Sequence, residues 1–214
     1  MGAKLSEIRN EYGKAKLSKK HIDPNPMGQL SKWLEEAVKA QTYEPTAMVI
    51  ATVDEAMRPS TRTVLLKDII DGKLVFYTNY ESRKGVHLQG NPHISATLLW
   101  KELERQVHIE GKTEKVPASV SDEYFKSRPW KSQVGARISP QSQVIASRNT
   151  IKMTFAKEAL KMGVGKVPRP ENWGGYFIIP DRIEFWQGRK NRLHDRILFT
   201  KGEDNTWTIA RLAP

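Results

Sequence analysis

Cysteine is absent from the 214 residues, which excludes disulfides and thiolate metal sites and fits a reducing cytoplasm. No apolar run is long enough to span a bilayer. Met1 to Lys20 is charged throughout and holds no signal-peptide hydrophobic segment, so the expected location is cytoplasmic. The histidines His21, His87, His93, His108 and His194 show no paired ligand spacing, so no metal is expected. A serine-nucleophile elbow of the Gly-x-Ser-x-Gly type is missing. Gly163-Val164-Gly165-Lys166 lacks the leading glycine and the trailing hydroxyl of a phosphate loop and reads as an ordinary loop. Strands and helices do not alternate regularly enough for a doubly wound sheet, and no internal repeat or low-complexity linker occurs. Met1-Gly2-Ala3-Lys4-Leu5-Ser6 fits the loose myristoylation pattern, but that pattern is short and requires a eukaryotic host.

Positive charge is what the chain has in excess: 35 Lys and Arg against 24 Asp and Glu, a net +11. Such a balance points to nucleic acid, a membrane surface or small anions. Nucleic-acid binders concentrate their cations in a stripe or tail with aromatics interleaved. Here the cations are scattered through expected strands and turns, and Lys14–Lys20 is the only dense run. Scattered charge favours small anionic ligands.

Residues 1–26 lack a strong period, allow a short helix around Leu5–Tyr12 and end in the helix-excluding Asp23-Pro24-Asn25-Pro26. They read as a mobile N-terminal arm or lid, with 27–214 forming one domain. Met27–Ala40 carries Leu30, Trp33, Leu34, Ala37 and Val38 at helical spacing, which predicts an amphipathic helix with those residues on its core face. Strands are expected over Thr46–Val53, Ser60–Lys67, Lys73–Thr78, His93–Trp100 and Arg105–Lys115, with a helix over Ser82–Gln89 stopped at Gly90-Asn91-Pro92. Val116-Pro117 opens a helix to about Ser127, and another is expected over Thr150–Met162. Strands over Gly175–Ile179, Arg182–Gln187, Arg192–Thr200 and Thr206–Arg211 complete the chain. The expected class is mainly β with helices (α+β), an antiparallel barrel decorated by helices.

Trp186 to Arg196 concentrates the polar chemistry. It reads as strand, glycine turn, strand; if Arg192 opens the second strand, alternation places Arg192, His194 and Arg196 on one face. Two fixed cations and an imidazole facing one way repel unless an anion lies between them. Guanidinium forks match phosphate and carboxylate oxygens, so a phosphorylated or carboxylated ligand is the natural anion. The alternative is a solvated strand face, against which Trp186 and Gln187 stand just before the turn.

Other segments share this character. Arg62-Thr63-Val64-Leu65-Leu66-Lys67 carries a cation at each end, and the two fall on opposite faces unless a bulge or strand end intervenes. Tyr77-Thr78 ends the next strand. Ser82-Arg83-Lys84 starts a helix, where free N–H groups and adjacent cations suit a phosphate. Tyr124 and Arg128, four apart on one helix face, and the nearby Ser132 form a donor set for a phosphate monoester. Gln141-Ser142 adds neutral polar groups suited to a heterocycle or a phosphate oxygen.

Taken in order, these segments resemble the pyridoxamine/pyridoxine 5′-phosphate oxidase family. The matching stretches are Arg9–Tyr12, Pro45–Asp54, Arg62–Lys67, Val75–Lys84, Leu103–Val107, Tyr124–Arg128, Gln141-Ser142, Trp173-Gly174-Gly175, Glu184–Gly188, Arg192–Arg196 and the terminal Arg211-Leu212-Ala213-Pro214. The resemblance implies an FMN-binding split barrel that works as a homodimer, with two FMN molecules at the subunit interface and the C-terminal hairpin serving dimerisation and substrate. It assigns FMN to Arg62, Val64, Leu65, Lys67, Tyr77, Thr78, Arg83, Lys84, Gln106, Gln141, Ser142, Trp186 and Arg196. It assigns the substrate phosphate to Lys67, Tyr124, Arg128 and Ser132. Arg192 and His194 are implied to hold the pyridine ring against the flavin, as catalytic residues, and Arg9 and Tyr12 to come from the lid. The implied reaction oxidises pyridoxine or pyridoxamine 5′-phosphate to pyridoxal 5′-phosphate, with oxygen as acceptor and hydrogen peroxide as product.

Charge supports this separately. FMN and substrate each bring a phosphate of about −1.5 to −2, which calls for roughly three to four compensating cations. Rival readings are a flavin reductase-like or heme-handling relative, a non-catalytic carrier of FMN or pyridoxal phosphate, and a nucleic-acid module. The first lacks the hairpin and tail; the second has no need of Arg192 and His194; the third would require a charge stripe.

Overall fold

The computed structural model describes Lys4, residues 11–163 and residues 165–214. Arg9 and most of the short helix expected over Leu5–Tyr12 lie outside the described residues, and Glu11-Tyr12 is irregular.

Helix α1 (Pro26–Lys39) precedes strands β1 (Ala47–Val53), β2 (Pro59–Leu65), β3 (Asp68–Ile70) and β4 (Lys73–Asn79). Helix α2 (Arg83–Gly90) leads to β5 (His93–Trp100) and β6 (Arg105–Lys115), joined through a 3-10 turn at Lys101–Leu103. Helices α3 (Ala118–Ser127), α4 (Trp130–Ile138) and α5 (Arg148–Met162) follow, then β7 (Trp173–Gln187), β8 (Asp195–Lys201) and β9 (Trp207–Leu212). The strands are hydrogen-bonded in the order β2-β1-β5-β6-β7-β4-β3, with β8 on β7 and β9 on β8. The class is mixed α+β, as expected, and β3–β4, β4–β7, β7–β8 and β8–β9 all pair antiparallel.

These elements form two compact units. The first comprises Met1–Val49, Ser95–Gly111 and Pro180–Pro214; the second comprises Ile50–Ile94 and Lys112–Ile179. In the first, α1 starts where Asn25 accepts from Met27 N at 2.9 Å and Pro26 supplies a ready-made helical φ. Its buried Trp33 meets Trp100 and Phe185 edge-on, at centroid distances of 6.4 and 5.2 Å. Burial of such large side chains contributes roughly 1.5–3 kcal/mol each, and Leu30, Leu98, Ile109 and Phe199 of the same unit are fully buried.

In the second unit, Leu74, Val75 and Phe76 of β4 are fully buried and pair with Ile178, Phe177 and Tyr176 of β7. Phe125, Val134, Val167 and Trp173 form a separate cluster, covered by Phe155, Ala159 and Met162 of α5. That cluster anchors α3 and α4, whose ends carry Tyr124 and Arg128.

Several expectations need correction. Val38 is exposed, because α1 turns by about 100° per residue and position 38 falls outside the stripe set by Leu30, Trp33 and Ala37. Helix α4 was not expected; Pro129 occupies its N-cap, where the usual polar signal would stand. The run Ser60–Lys67 breaks after Leu65, and the short β3 begins at Asp68. β7 passes through Pro180 as one strand rather than two. Its β4 pairing ends at Ile178 and its β8 pairing begins at Arg182, so the missing proline N–H interrupts neither ladder. β8 begins at Asp195, not Arg192.

Gly175 lies where backbone and side chains approach closely. A Cβ there would stand 2.4 Å from Val116 Cγ2 and 2.9 Å from Tyr77 Cε1. Gly175→Ala is therefore expected to cost about 1–3 kcal/mol through overpacking, read as a lower urea midpoint at unchanged m-value. An unshifted midpoint would contradict this packing.

Candidate active site

Second-unit residues converge on a cavity of about 280 Å³. Of the residues expected in the site, Val64, Leu65, Lys67, Tyr77, Thr78, Lys84, Tyr124, Arg128 and Gln141 line it, together with Thr63 and Trp173. The strand end between Arg62 and Lys67 removes the alternation conflict: β2 stops at Leu65, and Lys67 N donates to Val75 O at 2.8 Å.

The cavity floor is positively charged and short of counter-charge. Lys84 is buried, and its Nζ donates to Thr78 Oγ1 at 3.1 Å, Ser82 Oγ at 3.2 Å and Gln141 Oε1 at 3.1 Å, all neutral acceptors. Burial, reinforced by the Arg62 charge, pulls its pKa down from 10.5 to about 8. Arg62, which does not itself line the cavity, is fixed by neutral groups too, with Nη1 donating to Thr52 Oγ1 at 2.7 Å and Nη2 to Ser60 Oγ at 2.5 Å. Burial and then the Arg83 charge lower its pKa. Among the described residues, no carboxylate pairs with Arg62, Lys67, Arg83, Lys84 or Arg128. Desolvated cations without a counter-ion are costly, and an anion is what relieves them.

The upper wall is aromatic. Tyr77 stacks on Tyr124 at 3.8 Å and 13°, and Trp173 lies parallel to Tyr77 at 5.5 Å and 9°. Burial, then the Tyr124 neighbour, pushes the Tyr77 hydroxyl up to about 12, so it stays a protonated donor. Arg128 is the C-cap of α3 in an extended conformation, beyond the helical face it was expected to share with Tyr124. Its guanidinium rests 4.7 Å from the Trp173 ring centroid, its Nη1 is buried without a partner, and burial lowers its pKa. Ser132 lies in α4, Ser142 is exposed at φ 72, and Arg83 is exposed in α2; none of the three lines the cavity. Trp173, Thr52 and Ser60 were not singled out as site residues. Only the aromatic beside two glycines carried a sequence signal.

The first unit groups the other expected residues. Trp186 is the penultimate residue of β7, and its ring lies 4.6 Å from that of His194. Tyr12 packs edge-on against both, at 5.7 and 5.6 Å. His194 Nδ1 accepts from Arg189 N at 3.1 Å, so the neutral ring carries its proton on Nε2 and can present it as a donor. Arg192, Asn191 and Lys190 form a 3-10 turn in which Asn191 and Arg192 have φ 55 and 60. Arg192 and His194 therefore precede β8, and strand alternation does not place them with Arg196. Nor is Arg196 uncompensated: Nε and Nη2 grip Glu184 at 2.7 and 2.9 Å, Nη1 donates to Ala213 O at 3.0 Å, and Glu184 raises its pKa. Arg192 is exposed without an ion pair among the described residues, free to meet a ligand. Gln106 is half-buried in β6.

Comparison with known proteins shows the family. Residues 34–161 match the family described as Pyridoxamine 5′-phosphate oxidase, and residues 173–214 match the Pyridoxine 5′-phosphate oxidase C-terminal dimerisation region. A pyridoxine/pyridoxamine 5′-phosphate oxidase of Bacteroides thetaiotaomicron is 55% identical over 210 residues, covering 98% of this chain and 99% of the relative. One from Porphyromonas gingivalis is 50% identical over 214 residues, covering 100% of both. Among solved structures, PhzG from Burkholderia lata, in complex with tetrahydrophenazine-1-carboxylic acid, superposes with a TM-score of 0.88 at 29% identity, covering 94% of this chain and 100% of that one. With matches of this extent, the chain belongs to the pyridoxamine 5′-phosphate oxidase family.

Proposed function

We propose that this chain is an FMN-dependent oxidase, working as a homodimer in the cytoplasm, that converts pyridoxine or pyridoxamine 5′-phosphate to pyridoxal 5′-phosphate. The observation that carries the reading is the set of desolvated cations without carboxylates beside an aromatic-walled cavity. Oxygen is the acceptor. The alcohol substrate gives up two hydrogens, which reduce oxygen to hydrogen peroxide; the amine substrate also takes up water and releases ammonia.

The residues present fit the cofactor. Buried Lys84, held only by neutral oxygens, and Arg62 suit the phosphate of FMN, with Arg83, Thr78, Gln141 and Ser142 completing its surroundings. Val64, Leu65, Lys67 and Tyr77 would bound the ring system, and Gln106, Trp186 and Arg196 are further proposed FMN contacts. FMN supplies the two-electron acceptor, and the protein supplies position and electrostatics.

Substrate phosphate recognition falls to Lys67, Tyr124, Arg128 and Ser132. The unpartnered Arg128 Nη1 and the protonated Tyr124 hydroxyl, whose pKa burial raises, are donors aimed at an anion. Arg192 and the His194 Nε2 proton orient the pyridine ring. Residues 1–26, with Arg9 and Tyr12, act as the lid, and 27–214 form the oxidase domain.

Two outcomes are expected. Arg128→Ala should raise KM for pyridoxine 5′-phosphate by the equivalent of about 1.5–3 kcal/mol, one lost charged hydrogen bond, while flavin content is unchanged. Aldehyde formation measures the first and absorbance after denaturation the second; flavin loss with KM intact would overturn the assignment. The second concerns pH. Lys84 loses its proton near pH 8 in the anion-free fold, whereas an unfolded lysine keeps it to 10.5. Between those values the unfolded chain holds more protons, so stability of the FMN-free protein rises with pH through this window. FMN binding runs the other way, because the phosphate needs the ammonium: affinity should fall between pH 7 and 9, by up to about tenfold for one proton taken up. Calorimetric titration of FMN-free protein at both pH values checks this, and Lys84→Met should flatten the difference. Equal wild-type affinities would contradict it.

A further inference from the structure

Residues 11–17 carry no secondary structure, and among the described residues no backbone–backbone hydrogen bond involves them. Side chains hold this strap instead. Glu104 Oε2 accepts from Gly13 N at 2.7 Å and from Lys14 N at 3.0 Å. Arg189 Nη1 donates to Ala15 O at 3.0 Å. At the far end, Leu17 is buried, its N donating to Asp195 Oδ2 and its O accepting from Arg211 Nη2, both at 3.1 Å. Thus the end next to Tyr12 rests its two backbone donors on one carboxylate. A carboxylate can accept both bonds with charge assistance, which a neutral oxygen does less well. A segment tied by half-exposed side-chain bonds, without a ladder, belongs to the low-stability end of a protein and opens locally.

Glu104 also builds the surface on which Tyr12 lands. It sits at φ 56, ψ 40, a left-handed conformation that disfavours a residue with a Cβ. In that conformation its carbonyl accepts from Gly188 N at 2.7 Å and Gln187 Nε2 at 3.2 Å. A Cβ on Gly188 would come within 2.9 Å of the Tyr12 ring, so the bare glycine is the floor beneath the tyrosine. One residue therefore fixes the floor through its carbonyl and the strap through its carboxylate.

We propose that Glu104 is the latch of the strap, a positioning residue whose carboxylate seats Tyr12 over Trp186 and His194 and so governs substrate retention. Glu104 itself touches no reacting atom. The link to substrate rests on the oxidase reading above; the latch itself does not.

Glu104→Gly separates the two roles of the residue. Glycine favours the left-handed turn and keeps the carbonyl, so a purely structural role predicts equal or greater stability and an unchanged strap. The latch predicts faster tryptic cleavage after Lys14 and Lys16, by at least about tenfold, the equivalent of one of the two charge-assisted bonds removed. In the holoenzyme, KM for pyridoxine 5′-phosphate should rise by a similar factor, with kcat within about twofold and flavin content retained. Glu104→Gln, which keeps an acceptor without charge, should fall between the two. Cleavage rates equal to wild type in both variants would overturn the latch. So would a fall in kcat or flavin content with cleavage and KM unchanged. If the wild-type protein did not oxidise pyridoxine 5′-phosphate at all, the oxidase reading would fail, and the cleavage rates alone would decide the latch.

Discussion

Positive charge buried without a negative partner is the constraint on which the second unit depends. Lys84 and Arg62 are taken out of water and given only hydroxyl and amide oxygens in return. Ordinarily a buried cation is paired, and one left alone is a standing cost. The surrounding structure keeps that cost in place. Ser82 caps α2 and so aims Lys84 at Thr78; β2 brings Arg62 beside Thr52; and the Tyr77–Tyr124–Trp173 stack stiffens the opposite wall. The phosphate proposed above would recover the cost on binding, at a site already organised for an anion.

Charge is handled in the opposite way in the first unit. Arg196 is locked to Glu184, Arg105 to Glu36, and Arg211 to Asp195. Among the described residues, Arg192 makes no ion pair there, and the Nε2 side of His194 stands with the aromatic rings of Tyr12 and Trp186. One group of residues is suited to seizing phosphates and the other to orienting a flat ring. That division matches the proposed reaction, in which two phosphorylated molecules bind and the chemistry occurs on the hydroxymethyl or aminomethyl carbon carried by a pyridine ring.

Much of this was legible in the residue order. α2, β5 and β6 have punctuation at their ends: Ser82 before the helix, Asn91-Pro92 after it, and an alternating apolar pattern along the strands. Polar motifs together with the family resemblance named nine of the cavity-lining residues. Other features depend on partners distant in sequence. The turn Lys190–Arg192 uses two left-handed non-glycine residues, which no local preference announces, so the strand was expected three residues early. That Arg196 is paired while Arg62 is not follows from where Glu184 and Thr52 fall in the register, not from the arginines themselves. Glu104 is likewise silent in sequence, since its role comes from a strap about ninety residues away.

The most direct test of the charge argument is the affinity of FMN-free protein for FMN beside its affinity for riboflavin, which has the same ring without the phosphate. Fluorescence quenching titrations at pH 7 supply both constants. If uncompensated Lys84 and Arg62 await a phosphate, FMN should bind at least about 100-fold more tightly, the equivalent of two charge-assisted hydrogen bonds. Lys84→Met should narrow that ratio by weakening FMN and leaving riboflavin alone. Equal affinities of the wild-type protein for the two ligands would contradict the account.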